Sequence, residues 1–126
     1  MALQAKLALP SHRSTHEIHG DLYDDGYLRV EYENYYVSCG GKRISLPLKE
    51  FLIFSRLARN VDRVVHSEEI WRAAWGEVPF NSLSLRVHIH RLRRTFQPFG
   101  LRIESMVGVG YSLSSEYRRV DTTRMT

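Results

Sequence analysis

Arginine and histidine side chains follow one another at helical spacing between positions 86 and 94. Successive residues of an α-helix are offset by 100°, so side chains three or four positions apart share a face. The apolar residues that fall in one narrow sector are Leu85, Ile89, Leu92 and Phe96. The opposite side carries Leu83, Val87, His90, Arg91 and Arg94, flanked by Arg86 and Arg93 on one edge and by His88 on the other. The pattern predicts a helix with a buried apolar stripe and an exposed, mostly cationic face.

The chemistry open to this exposed face is contact with a nucleic acid. Arginine can donate paired hydrogen bonds to guanine O6 and N7, and valine can pack on a thymine methyl group. The side chains predicted to face bases or the groove wall are Val87, His90, Arg91 and Arg94. Those predicted to touch phosphates, which fix the register without reading the sequence, are Arg86, His88 and Arg93. A merely solvated amphipathic helix would account for the arginines but not for an exposed Val87.

Other candidate groups do not assemble into a reactive site. The histidines at positions 12, 16 and 19 have helical metal-ligand spacing, but no cysteine or carboxylate cluster accompanies them. His88 and His90 point in nearly opposite directions on a helix, so they cannot share an ion. Cys39 has no clear histidine base and is not expected to be a nucleophile. We therefore predict no enzyme, no metal site and no cofactor.

The length and composition are those of one soluble globular domain, with 126 residues, 43% apolar and 25% charged. The longest apolar run, residues 51–54, is far shorter than the roughly 20 residues of a membrane-spanning helix. A single cysteine excludes an internal disulfide. Residues 1–79 carry 10 basic and 11 acidic side chains, whereas residues 80–126 carry 8 and 3. This asymmetry favours a polyanionic partner on the last third of the chain, although a solvated basic helix would also produce it.

The elements that would position the cationic helix begin with short segments rich in aromatic and β-branched residues. Four strands are predicted, at residues 21–23, 27–32, 35–39 and 42–46. The turn signals between them are Asp25-Gly26, Glu33-Asn34 and Gly40-Gly41. The N-terminal part of the domain should therefore be a four-stranded antiparallel meander.

Helical patterns follow the predicted strands. The first helix carries an apolar face over residues 48–58, behind Pro47. The second starts with Ser67 as its N-cap and stops at Gly76, and the third covers residues 82–96.

A hairpin and two tails complete the predicted organisation. Residues 102–107 and 111–114 form the hairpin strands, and Gly108-Val109-Gly110 is its turn. Residues 1–19 are predicted to be a flexible tail or linker and residues 116–126 a polar tail, which leaves residues 20–115 as the domain.

Five short blocks of the chain occur in the order and spacing of a known family. They are Leu46-Pro47-Leu48-Lys49-Glu50-Phe51, Val64-Val65-His66-Ser67-Glu68-Glu69-Ile70, Trp75-Gly76, Val87-His88-Ile89-His90-Arg91-Leu92-Arg93-Arg94 and Gly108-Val109-Gly110-Tyr111. Over residues 20–115 the chain resembles the winged-helix effector domain of OmpR/PhoB-type bacterial response regulators. The resemblance implies an α+β fold, a winged helix-turn-helix with an N-terminal four-stranded antiparallel sheet, three helices and a C-terminal β-hairpin wing.

The resemblance also implies how such a domain binds double-stranded DNA. Helix 82–96 would enter the major groove, the wing at residues 102–114 would reach the neighbouring minor groove, and Trp75 would lie near a phosphate. The residues of the wing tip are Val107, Gly108, Val109, Gly110 and Tyr111. His90 stands where an arginine is common. Val107 replaces the family's wing arginine, so the wing should contribute little to sequence choice.

The family context extends to partners and location. Loop 76–82 is where members can meet RNA polymerase, and members commonly bind head-to-tail on direct-repeat promoter sites. We expect a cytoplasmic, nucleoid-associated protein that is a monomer when free and pairs on DNA. The chain lacks the acidic phosphoacceptor segment of a two-component response regulator. It is therefore expected to be an effector domain of a longer regulator or a stand-alone winged-helix protein.

The predicted function is sequence-specific DNA binding in transcription regulation. The alternative is a protein-interaction module on a winged-helix scaffold, since a fold alone does not establish a function. The exposed apolar residues that would suit this alternative are Leu83, Val87, Val107 and Val109. Enzymatic activity is the third class considered, and the sequence offers no site for it.

Overall fold

The predicted N-terminal sheet is present in the computed structural model, which describes residues 21–116. Its antiparallel strands are β1 Leu22–Asp24, β2 Leu28–Glu31, β3 Tyr36–Cys39 and β4 Lys42–Arg43, and they neighbour one another in chain order. β4 is shorter than predicted, although the Ile44 N–H still donates a hydrogen bond to the Val37 carbonyl oxygen and its side chain is buried in the core. The predicted tails and the three histidines at positions 12, 16 and 19 lie outside the described residues, apart from Glu116.

Three helices follow the first sheet, and the first and third match the predicted extents. They are α1 Leu48–Ala58, α2 Ser67–Trp75 and α3 Ser82–Phe96. The start of α3 is capped by Asn81, whose side-chain oxygen accepts a hydrogen bond from the Ser84 N–H at 3.0 Å. Within residues 21–116, no helix is both long and apolar enough to cross a lipid bilayer.

The start of α2 differs from the prediction. Ser67 is the first residue of the helix rather than its N-cap, and the residue at the N-cap position, His66, makes no side-chain cap. The Ser67 N–H instead donates a hydrogen bond to the Val109 carbonyl oxygen at 3.0 Å. A backbone group of the wing therefore satisfies one of the free N–H groups at this helix end, which a local sequence pattern cannot reveal.

The predicted C-terminal hairpin is part of a larger sheet. Strands β6 Leu101–Met106 and β7 Gly110–Ser115 form the hairpin, and the short strand β5 Val65–His66 pairs with β7, so the strand order is β5-β7-β6. Val65 lies opposite Tyr111 and His66 lies opposite Gly110. The end of the wing next to its turn is thus attached to the segment that leads into α2.

The turn of the wing also differs from the prediction. The loop consists of residues 107–109, closed by a hydrogen bond from the Val109 N–H to the Met106 carbonyl oxygen at 2.9 Å. Gly108 has a φ of +80°, which favours glycine. Gly110 lies in β7, where a Cβ atom would stand 1.9 Å from the Val65 carbonyl oxygen. Gly110 is therefore required by the approach of β5, not by the turn.

One hydrophobic core joins the helices to both sheets. The four residues of the predicted stripe on α3, Leu85, Ile89, Leu92 and Phe96, are each at most 1% exposed. The Phe96 ring stacks on Phe54 of α1 with centroids 4.3 Å apart. Burial of a side chain of this size is worth about 1.5–3 kcal/mol, so the stripe fixes which face of α3 remains outside.

Candidate nucleic-acid interface

The exposed face of α3 carries the side chains that the helical pattern placed there. Leu83 is 64% exposed and Val87 is 43% exposed, although both are apolar. The exposed polar residues beside them are Arg86, His90, Arg91 and Arg94. The structure thus brings the candidate base-facing residues to one surface, with apolar and cationic groups side by side.

Arg91 lies near a buried acid that sequence reasoning missed. Its Nη1 atom is 3.9 Å from Oε2 of Glu50, whose side chain is only 7% exposed, while the Arg91 side chain is 59% exposed. Glu50 is in the first turn of α1, where the helix dipole favours a negative charge. Because 3.9 Å is too long for a hydrogen bond, Glu50 does not fix the Arg91 guanidinium, which can extend into solvent.

Arg93 is half-buried, and its guanidinium lies against the wing. Nε donates a hydrogen bond to the Ile103 carbonyl oxygen at 2.8 Å, and Nη2 donates one to the Ser105 hydroxyl at 2.9 Å. The guanidinium carbon is also 5.9 Å from the centre of the Tyr111 ring. The sequence pattern suggested only a phosphate contact for this residue, because its partners lie on a strand that follows α3 in the chain.

His88 and Trp75 belong to a stacked aromatic cluster at the end of α2. The Trp75 ring stacks on Trp71 with centroids 3.8 Å apart, and the His88 ring meets its face at 5.1 Å and 87°. Because the Ser84 carbonyl oxygen can only accept, Nδ1 of His88 carries the hydrogen in their 2.8 Å contact. Lys49 Nζ lies 5.5 Å from the centre of the Trp75 ring. This lysine, which the sequence analysis did not select, adds a cation beside two predicted phosphate contacts.

A groove of about 560 Å³ separates the wing from the starts of α2 and α3. The polar groups on its wall include Ser67, Ser82, Arg86, Ser105 and Tyr111, and the acid Glu68 also lines it. All five predicted wing-tip residues, positions 107–111, line the groove as well. Val107 is 94% exposed and projects from the tip. Arg86 and the wing therefore line one groove.

The loop between α2 and α3 is held in place by Trp71. The Trp71 Nε1–H donates to the Val78 carbonyl oxygen at 2.7 Å, and the Phe80 ring meets Trp71 edge-on at 5.7 Å. Even so, the Val78 and Phe80 side chains are 53% and 40% exposed. An ordered loop with apolar side chains in solvent is suited to contact with another protein.

In the described part of the chain, some arginines form ion pairs and others do not. On the N-terminal sheet, Arg29 pairs with both Asp24 and Glu31, with each N–O distance at 2.7 Å. Within residues 21–116, by contrast, no ion pair involves Arg86, Arg94 or Arg102. These three arginines on α3 and β6 are therefore available to an anionic ligand. In the same described part of the chain, the other cations that form no ion pair include Lys42, Arg43, Lys49, Arg63 and Arg72.

Comparison with known proteins identifies a family and sequence relatives of this chain. Residues 41–113 match the family described as "Transcriptional regulatory protein, C terminal". The sensory transduction protein RegX3 of Mycobacterium leprae is 34% identical over 103 residues, which are 79% of this chain and 52% of RegX3. The chain thus spans about half the length of this curated relative.

Solved structures give the same picture of the fold. The response regulator DrrB of Thermotoga maritima, described as an OmpR/PhoB homolog, is similar with a TM-score of 0.64 and 33% identity, over 83% of this chain and 49% of DrrB. The DNA-binding domain of Klebsiella pneumoniae RstA, solved in complex with the RstA box, has a TM-score of 0.64 and 21% identity, over 75% of this chain and 97% of that domain. The predicted winged-helix fold is confirmed.

Proposed function

Because this chain belongs to the OmpR/PhoB-type family of transcriptional regulatory protein C-terminal domains, we propose that it regulates transcription by binding double-stranded DNA in a sequence-specific way. The observation that carries the proposal is the surface of α3. One stripe of this helix is buried in the core, and the opposite face presents exposed arginines and an apolar Val87 beside the wing. Arginine and valine together match the edges of guanine and thymine.

In the proposed complex, α3 lies in the major groove and the wing at residues 102–114 lies at the adjacent minor groove. α3 has 15 residues, so it is about 22 Å long and can extend along the groove with its exposed face towards the bases. The residues assigned to bases or the groove wall are Val87, His90, Arg91 and Arg94. Those assigned to phosphates are Trp75, Arg86, His88 and Arg93. The wing tip, residues 107–111, would pack against sugars.

A salt titration of binding to random duplex DNA tests the proposal. If about 4 to 6 phosphates are contacted, the logarithm of the association constant should fall with the logarithm of salt concentration at a slope of about −4 to −5. A slope near zero, or equal binding to an unrelated acidic protein, would contradict DNA binding. Selection of bound sequences from a random duplex pool then identifies the preferred site.

We propose further that the chain acts as the effector domain of a cytoplasmic two-component response regulator. Its match to about half of RegX3 supports this reading. The free domain should be a monomer and should pair on direct repeats whose half-sites are one helical turn apart. Sedimentation with and without a two-site duplex measures this, and a tight dimer without DNA would contradict it.

The exposed loop supports a second contact, with RNA polymerase, through residues 76–82. Val78 is exposed while its backbone is anchored to Trp71, so the loop presents an apolar group at a fixed position. Val78→Ser should reduce activation in a reconstituted transcription assay and leave DNA affinity unchanged. Val64→Ser is the matched control, because Val64 is 39% exposed outside this loop. Equal activation by both variants would remove the loop from the proposal.

A further inference from the structure

The Arg93 side chain connects the recognition helix to the wing. Arg93 lies in the last turn of α3, and its two hydrogen bonds end on Ile103 and Ser105 of β6. The two acceptors are a backbone oxygen and a side-chain hydroxyl on residues two apart on β6, close enough for one guanidinium to reach both. The planar guanidinium fork matches that spacing, with Nε on a backbone oxygen and Nη2 on a hydroxyl. A lysine, with a single ammonium group, cannot reproduce this pair of contacts.

The strand that receives Arg93 is the outer strand of its sheet. In the order β5-β7-β6, β7 is paired on both sides, whereas β6 pairs only with β7. An edge strand presents backbone groups that no neighbouring strand satisfies. The Ile103 carbonyl oxygen is one such group, and it accepts a hydrogen bond from the charged Arg93 guanidinium. The arginine therefore acts on the side of the wing that has no partner strand.

The other side of the wing is held by different contacts. There, β5 pairs with the start of β7 through His66 and Gly110, and the Ser67 N–H bonds to the Val109 carbonyl oxygen. These contacts anchor the tip to the start of α2, and they do not involve α3. Within residues 21–116, the two hydrogen bonds from Arg93 are the only side-chain hydrogen bonds between α3 and β6.

We propose that Arg93 is a positioning residue that sets the orientation of the wing relative to the recognition helix. The effect of this role on DNA binding rests on the proposed function. A fixed orientation of the wing relative to α3 would let both elements occupy adjacent grooves of the DNA at the same time. Preorganisation of this kind improves affinity because less freedom is lost on binding. Arg93 would thus affect DNA affinity chiefly through the wing, even where its guanidinium does not reach a phosphate.

Amide hydrogen exchange without DNA tests the positioning role directly. Arg93→Lys keeps the charge but loses the fork, and Ser105→Ala removes one acceptor without altering α3. We expect exchange of the wing amides, residues 103–111, to become about tenfold faster in Arg93→Lys, as for loss of a hydrogen bond from a charged donor. Ser105→Ala should give an increase of about two- to tenfold. The matched control is Arg94→Lys, which should leave wing exchange as in the wild type.

DNA affinity provides the second readout. The probes are a duplex selected from a random pool and the same duplex shortened so that it ends before the minor groove of the wing. Arg93→Lys should weaken binding several-fold more on the long duplex than on the short one. Ser105→Ala, at a residue assigned to no DNA contact, should weaken binding to the long duplex and leave binding to the short duplex unchanged. A role limited to phosphate contact by charge predicts instead that Arg93→Lys resembles the wild type on both duplexes.

The two readouts separate the possible failures. If the wing amides of both Arg93→Lys and Ser105→Ala exchange at the wild-type rate, the positioning role is overturned, whatever the DNA affinities are. Equal losses on the long and short duplexes would also overturn it, because the effect would not pass through the wing. If the wild-type domain binds no duplex, the proposed function fails, while the exchange result still decides whether Arg93 orients the wing.

Discussion

At the residue scale, Val107 is the clearest departure from the family's wing. It is 94% exposed at the tip, where the resemblance implies an arginine. The narrow minor groove of A·T-rich DNA has a strongly negative potential that attracts inserted cations. A valine gains nothing from that potential, so specificity should rest mainly on α3.

Restoring the cation with Val107→Arg should tighten binding by about 1 kcal/mol, the scale of one charge-assisted contact less its ordering cost. The gain should be largest on A·T-rich flanks and at low salt. The measurement compares wild type and variant on one core site with A·T-rich or G·C-rich flanks. Weaker binding on both flanks would mean that the valine makes an apolar contact, and the protein-interaction alternative would gain support.

Two arginines of α3 should differ in what they recognise. Arg91 lies near Glu50 on the side proposed to face bases, whereas Arg86 lines the groove beside the wing. Arg91→Ala should cost about 1–3 kcal/mol on the preferred site and flatten the preference at one guanine. Arg86→Ala should weaken all sequences alike and reduce the salt slope by about one. Identical specificity profiles of the two variants would show that the assignment of faces on α3 is incorrect.

At the element scale, the wing depends on two glycines for different reasons. Gly108 has a positive φ, but open space surrounds the position of its missing Cβ. Gly108→Ala should therefore cost only about 1–2 kcal/mol of stability, the price of a left-handed backbone. Gly110→Ala should cost more, because the added atom would overlap the Val65 carbonyl oxygen and push β5 away from β7. Denaturant unfolding of both variants measures the difference, and equal losses would contradict the close approach of β5.

At the scale of the whole molecule, the buried thiol of Cys39 links global stability to pH. Burial raises the pKa of Cys39 from 9.0 to about 12, with a smaller contribution from the negative charge of Asp25. Between those values the unfolded chain releases the thiol proton and the folded chain retains it. The free energy of unfolding is therefore unaffected below pH 9.0 and falls as the pH rises towards about 12.

The decrease should approach about 1.4 kcal/mol per pH unit at its steepest. Urea unfolding of the wild type and of Cys39→Ala, from about pH 8 to about pH 11, isolates the contribution of the thiol. The variant should start less stable because of the cavity it leaves, but its stability should fall less steeply with pH. Parallel curves for the two proteins would contradict a protonated thiol in the folded state.

Much of the fold follows from local sequence patterns. The periodicity of Leu85, Ile89, Leu92 and Phe96 identified the buried face of α3, because one stripe of a helix must enter the core. The same pattern, together with the motif blocks, indicated the exposed face and the order of the elements. These predictions depend on residues within a few positions of one another, where spacing alone specifies geometry.

Only the tertiary structure decided how the wing is attached. β5 is two residues long and carries no readable periodicity, and its partner β7 lies more than forty positions later in the chain. The sequence could therefore identify Gly110 as a glycine needing backbone freedom, but not the Val65 carbonyl that excludes a side chain there. Likewise, helical spacing predicted only that Arg93 lies at the edge of the exposed face. The structure shows that its guanidinium is hydrogen-bonded to Ile103 and Ser105 of the wing. Contacts of this kind depend on how separate elements pack, which local spacing does not encode.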